Sequence, residues 1–319
     1  MRTTVPTVLL GLALCALTAA AAPQWREFAV PAGSHPHDVW PAADGGVWYT
    51  AQHKGVLGRL DPATGAVQEI ALGEGSAPHG VIVGPDGAAW VTDGGQNAIV
   101  RVDPVSHAVA VFPLPADHPR ANLNTAAFDR AGVLWFTGQN GVYGRLDPRI
   151  GRVQAWDAPK GRGPYGITAT PGGRVFYASL AGSYIAEIDT RTGAARVIEP
   201  PVPNQGARRI WSDSKGVLWV SFWNAGSIGR YDPASGQWQV IRLPGKDPQP
   251  YAIYVDPRDE VWVSDWGDNA VVRFDPAEGQ FATLPTPNRA DIRQMAGRGG
   301  DVWAAESGTD RVARIVPGS

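Results

Sequence analysis

The chain has 319 residues, with 28 Lys and Arg against 30 Asp and Glu, and a formal charge of -2. The basic residues are scattered among acidic ones, which excludes the basic stripe of a nucleic-acid binder. With 39 Gly, 28 Pro and 13 Trp, and no helical three-four spacing sustained beyond the leader, the composition excludes a helical bundle and points to an all-β protein.

The first residues, MRTTVPTVLLGLALCALTAAAAPQW, have the order of a secretory signal: Arg2 as a basic start, Val8 to Leu17 as an apolar stretch, and Ala19-Ala20-Ala21 as a small-residue cleavage site. An apolar stretch of about ten residues is too short to span a bilayer, which needs about twenty. Residues 1–21 are therefore expected to be a signal peptide. Residues 22–319 are expected to form one domain, a periplasmic or secreted monomer with no membrane attachment after cleavage. Cys15, the only cysteine, lies in the leader. Leu14 stands before it, where a lipid-anchor signal wants a small residue.

Beyond the leader the chain repeats. The stretch from Ala77 to Pro104, with its tail to Pro115, holds four short strands closed by turn residues. One aromatic marks the second strand of each unit: Trp48, Trp90, Trp135, Phe176, Trp219, Trp262 and Trp303, at steps of 41 to 45 residues. Ten or eleven residues later comes a charged residue (Arg59, Arg101, Arg145, Glu187, Arg230, Arg273, Arg314), followed in six units by an Asp. This period with four strands per unit predicts a seven-bladed β-propeller. The last unit ends one strand short, and Trp25 to Pro31 resembles the missing outer strand, so the N-terminus is expected to complete blade seven and close the ring. The repeated aromatic is expected to fill space between blades, and the repeated Arg to pair near a turn.

Function is expected where the blades differ. If the turn between the first two strands fixes a simple alternating register, His79 opposes Asp93, His37 opposes Ala51, Asn124 opposes Gly138, Tyr165 opposes Ser179, Arg208 opposes Phe222, and Tyr251 opposes Asp265. In blade seven, Ile292 or Arg293 opposes Glu306. These side chains would converge on one end of the central channel, the default place for a binding or active site. His79 is the expected general base, with His37 beside it and Asp93 orienting it and raising its pKa. Asp265 and Glu306 are hard oxygen donors suited to Mg2+. Arg208, Tyr165, Tyr251 and Asn124 are expected to contact a small-molecule or peptide ligand, and Trp223 and Trp266 to stack on its rings. No nucleophile elbow, Walker loop, HExxH or dinucleotide fingerprint occurs.

The openings Pro78-His79-Gly80 and Pro164-Tyr165-Gly166, the G-x-x-W-[FVY]-[TS] segments at Gly132 to Thr137 and Gly216 to Ser221, and Leu57-Gly58-Arg59-Leu60 resemble the streptogramin B lyase family. The resemblance covers the whole chain after the leader. It implies a seven-bladed propeller and a Mg2+-dependent elimination that opens a cyclic depsipeptide at its ester bond. It also implies a His at the opening of blade six, where this chain has Tyr251, and a general-base His on the first strand of blade seven, where it reads Arg289-Ala290-Asp291-Ile292-Arg293. One metal Glu of the family is matched by Glu306. The expected function is thus a secreted lyase-like propeller. The alternatives are a non-catalytic propeller that binds a peptide, glycan or protein at the channel mouth, and a metal-dependent lactone hydrolase using Asn124, Asp265 and Glu306.

Overall fold

The structure, a computed structural model, describes residues 23–317; the expected leader lies outside the described residues. It consists of seven four-stranded antiparallel sheets. Their first strands pack side by side around one channel, with the first strand of blade one touching those of blades two and seven. Closure is as the sequence predicts: Gln24–Ala29 pairs antiparallel with Arg311–Val316, Phe28 opposite Val312, and supplies the outer strand of blade seven. Among the described residues no helix is long and apolar enough to cross a membrane.

The seams between blades form the core. Trp48, Trp135, Trp219 and Trp262 are fully buried, and each ring removes roughly 150–250 Å2 from water. The repeated Arg lies directly across the strand pair from its Trp, as in Trp48 opposite Arg59 and Trp262 opposite Arg273. Its guanidinium covers the ring, at 5.2 Å for Arg59 on Trp48 and 5.9 Å for Arg314 on Trp303. It pairs with an Asp of the turn between the first two strands, as Arg59 does with Asp44 and Arg101 with Asp86. Blade four swaps the parts: Arg174, from that turn, covers Phe176 and pairs with Glu187 at the usual Arg position.

In five of the seven blades a hydroxyl two residues after the anchor aromatic fastens the blade to the next. Thr92 Oγ1 accepts the Gly80 N–H at 2.9 Å and donates to the Asn124 carbonyl of blade three at 2.5 Å. Thr50, Thr137, Ser221 and Ser264 donate in the same way to His79, Tyr165, Tyr251 and Ile292. This hydroxyl sits inside a β-bulge. Pro78 pairs with Asp93 and Gly80 with Thr92, leaving His79 as the extra residue. The same one-residue shift occurs in blades three to seven.

The bulge overturns the expected register. Asp93, Gly138, Ser179, Phe222 and Asp265 oppose Pro78, Leu123, Pro164, Ala207 and Pro250, and only the Ile292–Glu306 pairing matches one of the expected alternatives. An extra residue re-aims its side chain out of the pleat. In each of blades two to seven, that residue lies at the channel mouth. The glycine that follows it in blades two and four allows neighbouring strands to approach closely: a Cβ on Gly166 would lie 2.7 Å from the Arg209 Cα, and one on Gly80 would lie 2.6 Å from the Asn124 carbonyl oxygen.

Candidate functional site at the channel mouth

The bulges of blades two to seven bring His79, Asn124, Tyr165, Arg208, Tyr251 and Arg293 to one rim, His37 joins them from just before the first strand of blade one, and the rim has two unlike halves. In the half made by blades one to three, the polar groups are engaged apart from His37 Nε2, which has no partner among the described residues. His79 Nδ1 donates to the Asn124 carbonyl at 3.0 Å, and its Nε2 accepts from the Asn124 side-chain amide at 3.0 Å. That pairing fixes the tautomer and occupies the lone pair that a general base would use. The His37 ring packs on His79 with centroids 3.7 Å apart, and His37 Nδ1 bonds Asp38 at 2.9 Å.

Below the rim an ion pair crosses the channel. Arg209 of blade five reaches Asp38 of blade one, at 2.7 Å to Oδ1 and 3.3 Å to Oδ2, and also bonds Thr125 of blade three at 2.9 Å. Both side chains are almost fully buried, at 5% and 2% exposure, so the strut closes the channel beneath the rim. Its charges add to the effect of burial on the two histidines. His79 is held well below the usual imidazole range by burial first and then by His37, and Asp38 only partly opposes this. The sequence expectation of a raised pKa is therefore reversed. His37 is lowered by burial, then by Arg209, Arg293 and Arg208. Both rings are neutral near pH 7.

Asp93 does not orient His79. Its Oδ1 accepts the N–H groups of Ala77, Gly95 and Gln96 at 2.9, 3.0 and 3.0 Å, and its Oδ2 accepts from Ser76. Asp265 repeats this in blade six, accepting from the N–H groups of Gln249 and Gly267 at 2.7 and 2.9 Å. Both carboxylates knit the loop that leads into their own blade. The same fastening role could have been read from their shared place three residues after the anchor aromatic.

Nor do Asp265 and Glu306 converge. Strand alternation puts Asp265 on the face of Val261 and Val263, which packs on blade five, and Glu306 on the face of Val302 and Ala304, which packs on blade six. Among the described residues the only cluster of three or more metal-ligand side chains is His37, Asp38 and His79, and its one carboxylate is already held by Arg209. Mg2+ asks for several oxygen ligands in near-octahedral order, and these residues do not fit it. Asn124, turned to His79, does not join Asp265 and Glu306 as a lactone hydrolase would need.

The other half of the rim, made by blades four to seven, is built from arginines and aromatic rings. The Arg208 guanidinium lies 3.5 Å from the centroid of Tyr251, 4.7 Å from that of Tyr165 and 4.9 Å from that of Trp223. Trp266 stacks on Tyr251 at 4.7 Å, and Arg293 lies 5.2 Å from the centroid of Trp266. Tyr165 and Tyr251 share a hydroxyl hydrogen bond of 2.6 Å. Burial, then Tyr251, pushes Tyr165 up to about 12. In Tyr251 burial is outweighed by Arg208, Arg209 and Arg293, which make it the more acidic of the two. Arg208, Arg293, Trp223 and Trp266 are only half-buried. Sequence reasoning found Arg208 and the two Trp residues; it named Arg293 only as a register alternative and missed the Arg209–Asp38 strut altogether.

With this geometry in view, comparison with known proteins is decisive for the family. A profile of the virginiamycin B lyase family matches residues 17–274. The chain belongs to that family. Among the curated proteins no match is found. Of solved structures, a streptogramin B lyase superimposes with a TM-score of 0.84 at 23% identity, covering 92% of this chain and 97% of the other. A virginiamycin B lyase from Staphylococcus aureus gives 0.85 at 20%, covering 92% and 99%. The extracellular domain of a putative one component system from B. thetaiotaomicron gives 0.72 at 15%, covering 92% of this chain and 40% of the other. At these identities the likeness is one of fold.

Proposed function

We propose that this member of the virginiamycin B lyase family is a recognition propeller that binds, at the arginine-rich half of its channel mouth, a small molecule or peptide carrying a carboxylate beside a planar ring. On the strength of the leader at residues 1–21 it works in the periplasm or outside the cell. The observation that carries the reading is the pair Arg208 and Arg293. Neither has a carboxylate partner among the described residues, while Arg208 Nε is buried with no acceptor. Unpaired guanidiniums on an aromatic wall are suited to a planar anion, through charge-assisted hydrogen bonds and ring stacking. Elimination chemistry has less support here, because the His79 lone pair is taken and the carboxylates do not assemble a metal site.

Calorimetric titration with benzoate and with benzyl alcohol tests this reading. Benzoate is expected to bind at least about tenfold more tightly, and Arg208→Ala to remove about that factor. Equal affinity for the two compounds, or an unchanged benzoate affinity in Arg208→Ala, would sink it.

One observation favours a second reading, a metal-free lyase. His37 Nδ1 is held by Asp38, and His37 Nε2 has no partner among the described residues, so His37 rather than His79 is the ring free to take a proton. Linearisation of a cyclic depsipeptide that disappears in His37→Ala and survives in His79→Gln would support it.

A further inference from the structure

Beneath the Arg209–Asp38 strut the channel holds a second compartment, separate from the mouth. It is a cavity of about 260 Å3. Its walls come from the parts of the first strands that run away from the mouth, chiefly Trp40, Ile82, Phe128, Ile167, Thr168 and Trp211, and the strut closes it on the mouth side. Trp40 of blade one and Trp211 of blade five meet across the channel with ring centroids 6.1 Å apart and planes at 28°.

Besides the hydroxyls of Thr125, Thr168 and Ser212, the polar lining is rich in unmet donors. In blades two, three, five and six the anchor indole N–H is satisfied by an Asp, at 3.1 Å for Trp90 on Asp86 and 2.8 Å for Trp135 on Asp129, and likewise for Trp219 and Trp262. The half-buried Trp40 and Trp211 line the cavity, and their indole N–H groups have no acceptor among the described residues. Gln294 accepts the Val39 N–H through its carbonyl oxygen at 2.9 Å, and its amide N–H2 has no such partner. Three side chains with unmet donors therefore line the cavity, while the one carboxylate, Asp38, is spent on Arg209 and His37. The charge of Arg209 is balanced at the same place.

We propose that this compartment is a binding site for a neutral, flat, fused-ring molecule that carries a hydrogen-bond-accepting carbonyl. The size agrees: an apolar cavity of about 150 Å3 admits benzene, so this one admits a second fused ring. The facing indoles supply flat apolar contact, and their N–H groups with Gln294 supply the donors for the carbonyl. The balanced strut disfavours a net charge on the ligand.

Calorimetric titration of the full chain with coumarin, a fused-ring lactone, and naphthalene, the same shape without an acceptor, tests the proposal. Coumarin is expected to bind with one-to-one stoichiometry and more tightly than naphthalene. Trp211→Phe keeps a ring but removes a donor, and should weaken coumarin about three- to tenfold while leaving naphthalene unchanged. Ala127→Phe, on a half-buried lining position, should abolish both, its fold checked by an unaltered cooperative melting transition. Arg208→Ala should leave coumarin binding intact, which separates this site from the anion site at the mouth. Failure of coumarin to bind, equal affinity for naphthalene, or loss of coumarin binding in Arg208→Ala would each overturn the proposal; should Ala127→Phe not fold, Trp211→Phe alone decides.

Discussion

Arg208 and Arg209 are adjacent in the chain and lie in opposite halves of one design. Arg209 turns down into the channel, where Asp38 and Thr125 take its terminal N–H groups, its Nε stays unmet like that of Arg208, and burial is almost complete. Arg208 stays at the rim against Tyr251 and Trp223, with an unmet Nε and no carboxylate. The carboxylates divide in the same way. Asp93, in blade two, has both oxygens engaged, whereas Asp265 Oδ2 and Glu306 Oε1, in blades six and seven, are buried without partners. Buried polar groups are normally satisfied; guanidiniums with no carboxylate partner on an aromatic wall mark the half with Arg208 and Arg293 for a ligand, and the paired Arg209–Asp38 strut marks the other for holding the ring together.

The largest effect should come from breaking the holding half. Removing one member of a buried pair strands the other charge and costs about 3–5 kcal/mol. Arg209→Ala is expected to lose about that much stability in denaturant titration. Arg208→Ala should cost less than about 1 kcal/mol, since its guanidinium is half-exposed and has no ion-pair partner to strand. Similar losses for the two variants would erase the division.

Glu306 sharpens the comparison through pH. Burial pushes its carboxyl up to about 7, Thr309 pulls against this, and the neighbouring Glu27 adds to it. The folded value lies above the ordinary 4.5 of an unfolded chain, so folding favours the protonated form. That contribution is complete below about pH 4.5 and is lost as pH rises through about 7. Relative to Glu306→Gln, the native chain should lose stability between about pH 5 and pH 8, by on the order of 3 kcal/mol at most. A parallel pH dependence of the two melting temperatures would show that Glu306 is not strained in this way.

The propeller was legible in the sequence because its signals are periodic. The anchor aromatic, its partner Arg and the turn Asp recur through the chain, and even the closing strand at Trp25 could be placed by its likeness to other outer strands. The rim was only partly legible. Which residues reach the mouth could be found from where the blades differ, but their partners could not. A register extrapolated from a tight turn misses the one bulged residue that shifts the pairing at the mouth in blades two to six. Arg209 was missed for a related reason: its partner lies four blades away around the ring, and no local pattern links Asp38 to it. The Thr or Ser two residues after the anchor is part of the G-x-x-W-[FVY]-[TS] motif, yet its role depends on a carbonyl of the next blade.

Those hydroxyls give the finest test of the two halves. Thr92→Val keeps the shape but leaves the Gly80 N–H without an acceptor and the Asn124 carbonyl with His79 Nδ1 as its one remaining donor, and should cost about 2 kcal/mol, as an unmet buried backbone group does. Blades four and seven lack the fastening, with the fully buried Ala178 and Ala305 in the equivalent places. The seam from blade four leads to Arg208, so the strand carrying the candidate anion-binding residue is one of the two that the preceding blade does not bolt. Ala178→Ser would supply the missing hydroxyl between the Gly166 N–H and the Arg208 carbonyl. Stability should rise by about 0.5–1 kcal/mol, and benzoate affinity should change in the same variant, because the added bond fixes the backbone from which Arg208 projects. An affinity change without a stability gain would place the effect in the hydroxyl's bulk; a stability gain with unchanged affinity would mean that Arg208 is already held by its aromatic wall.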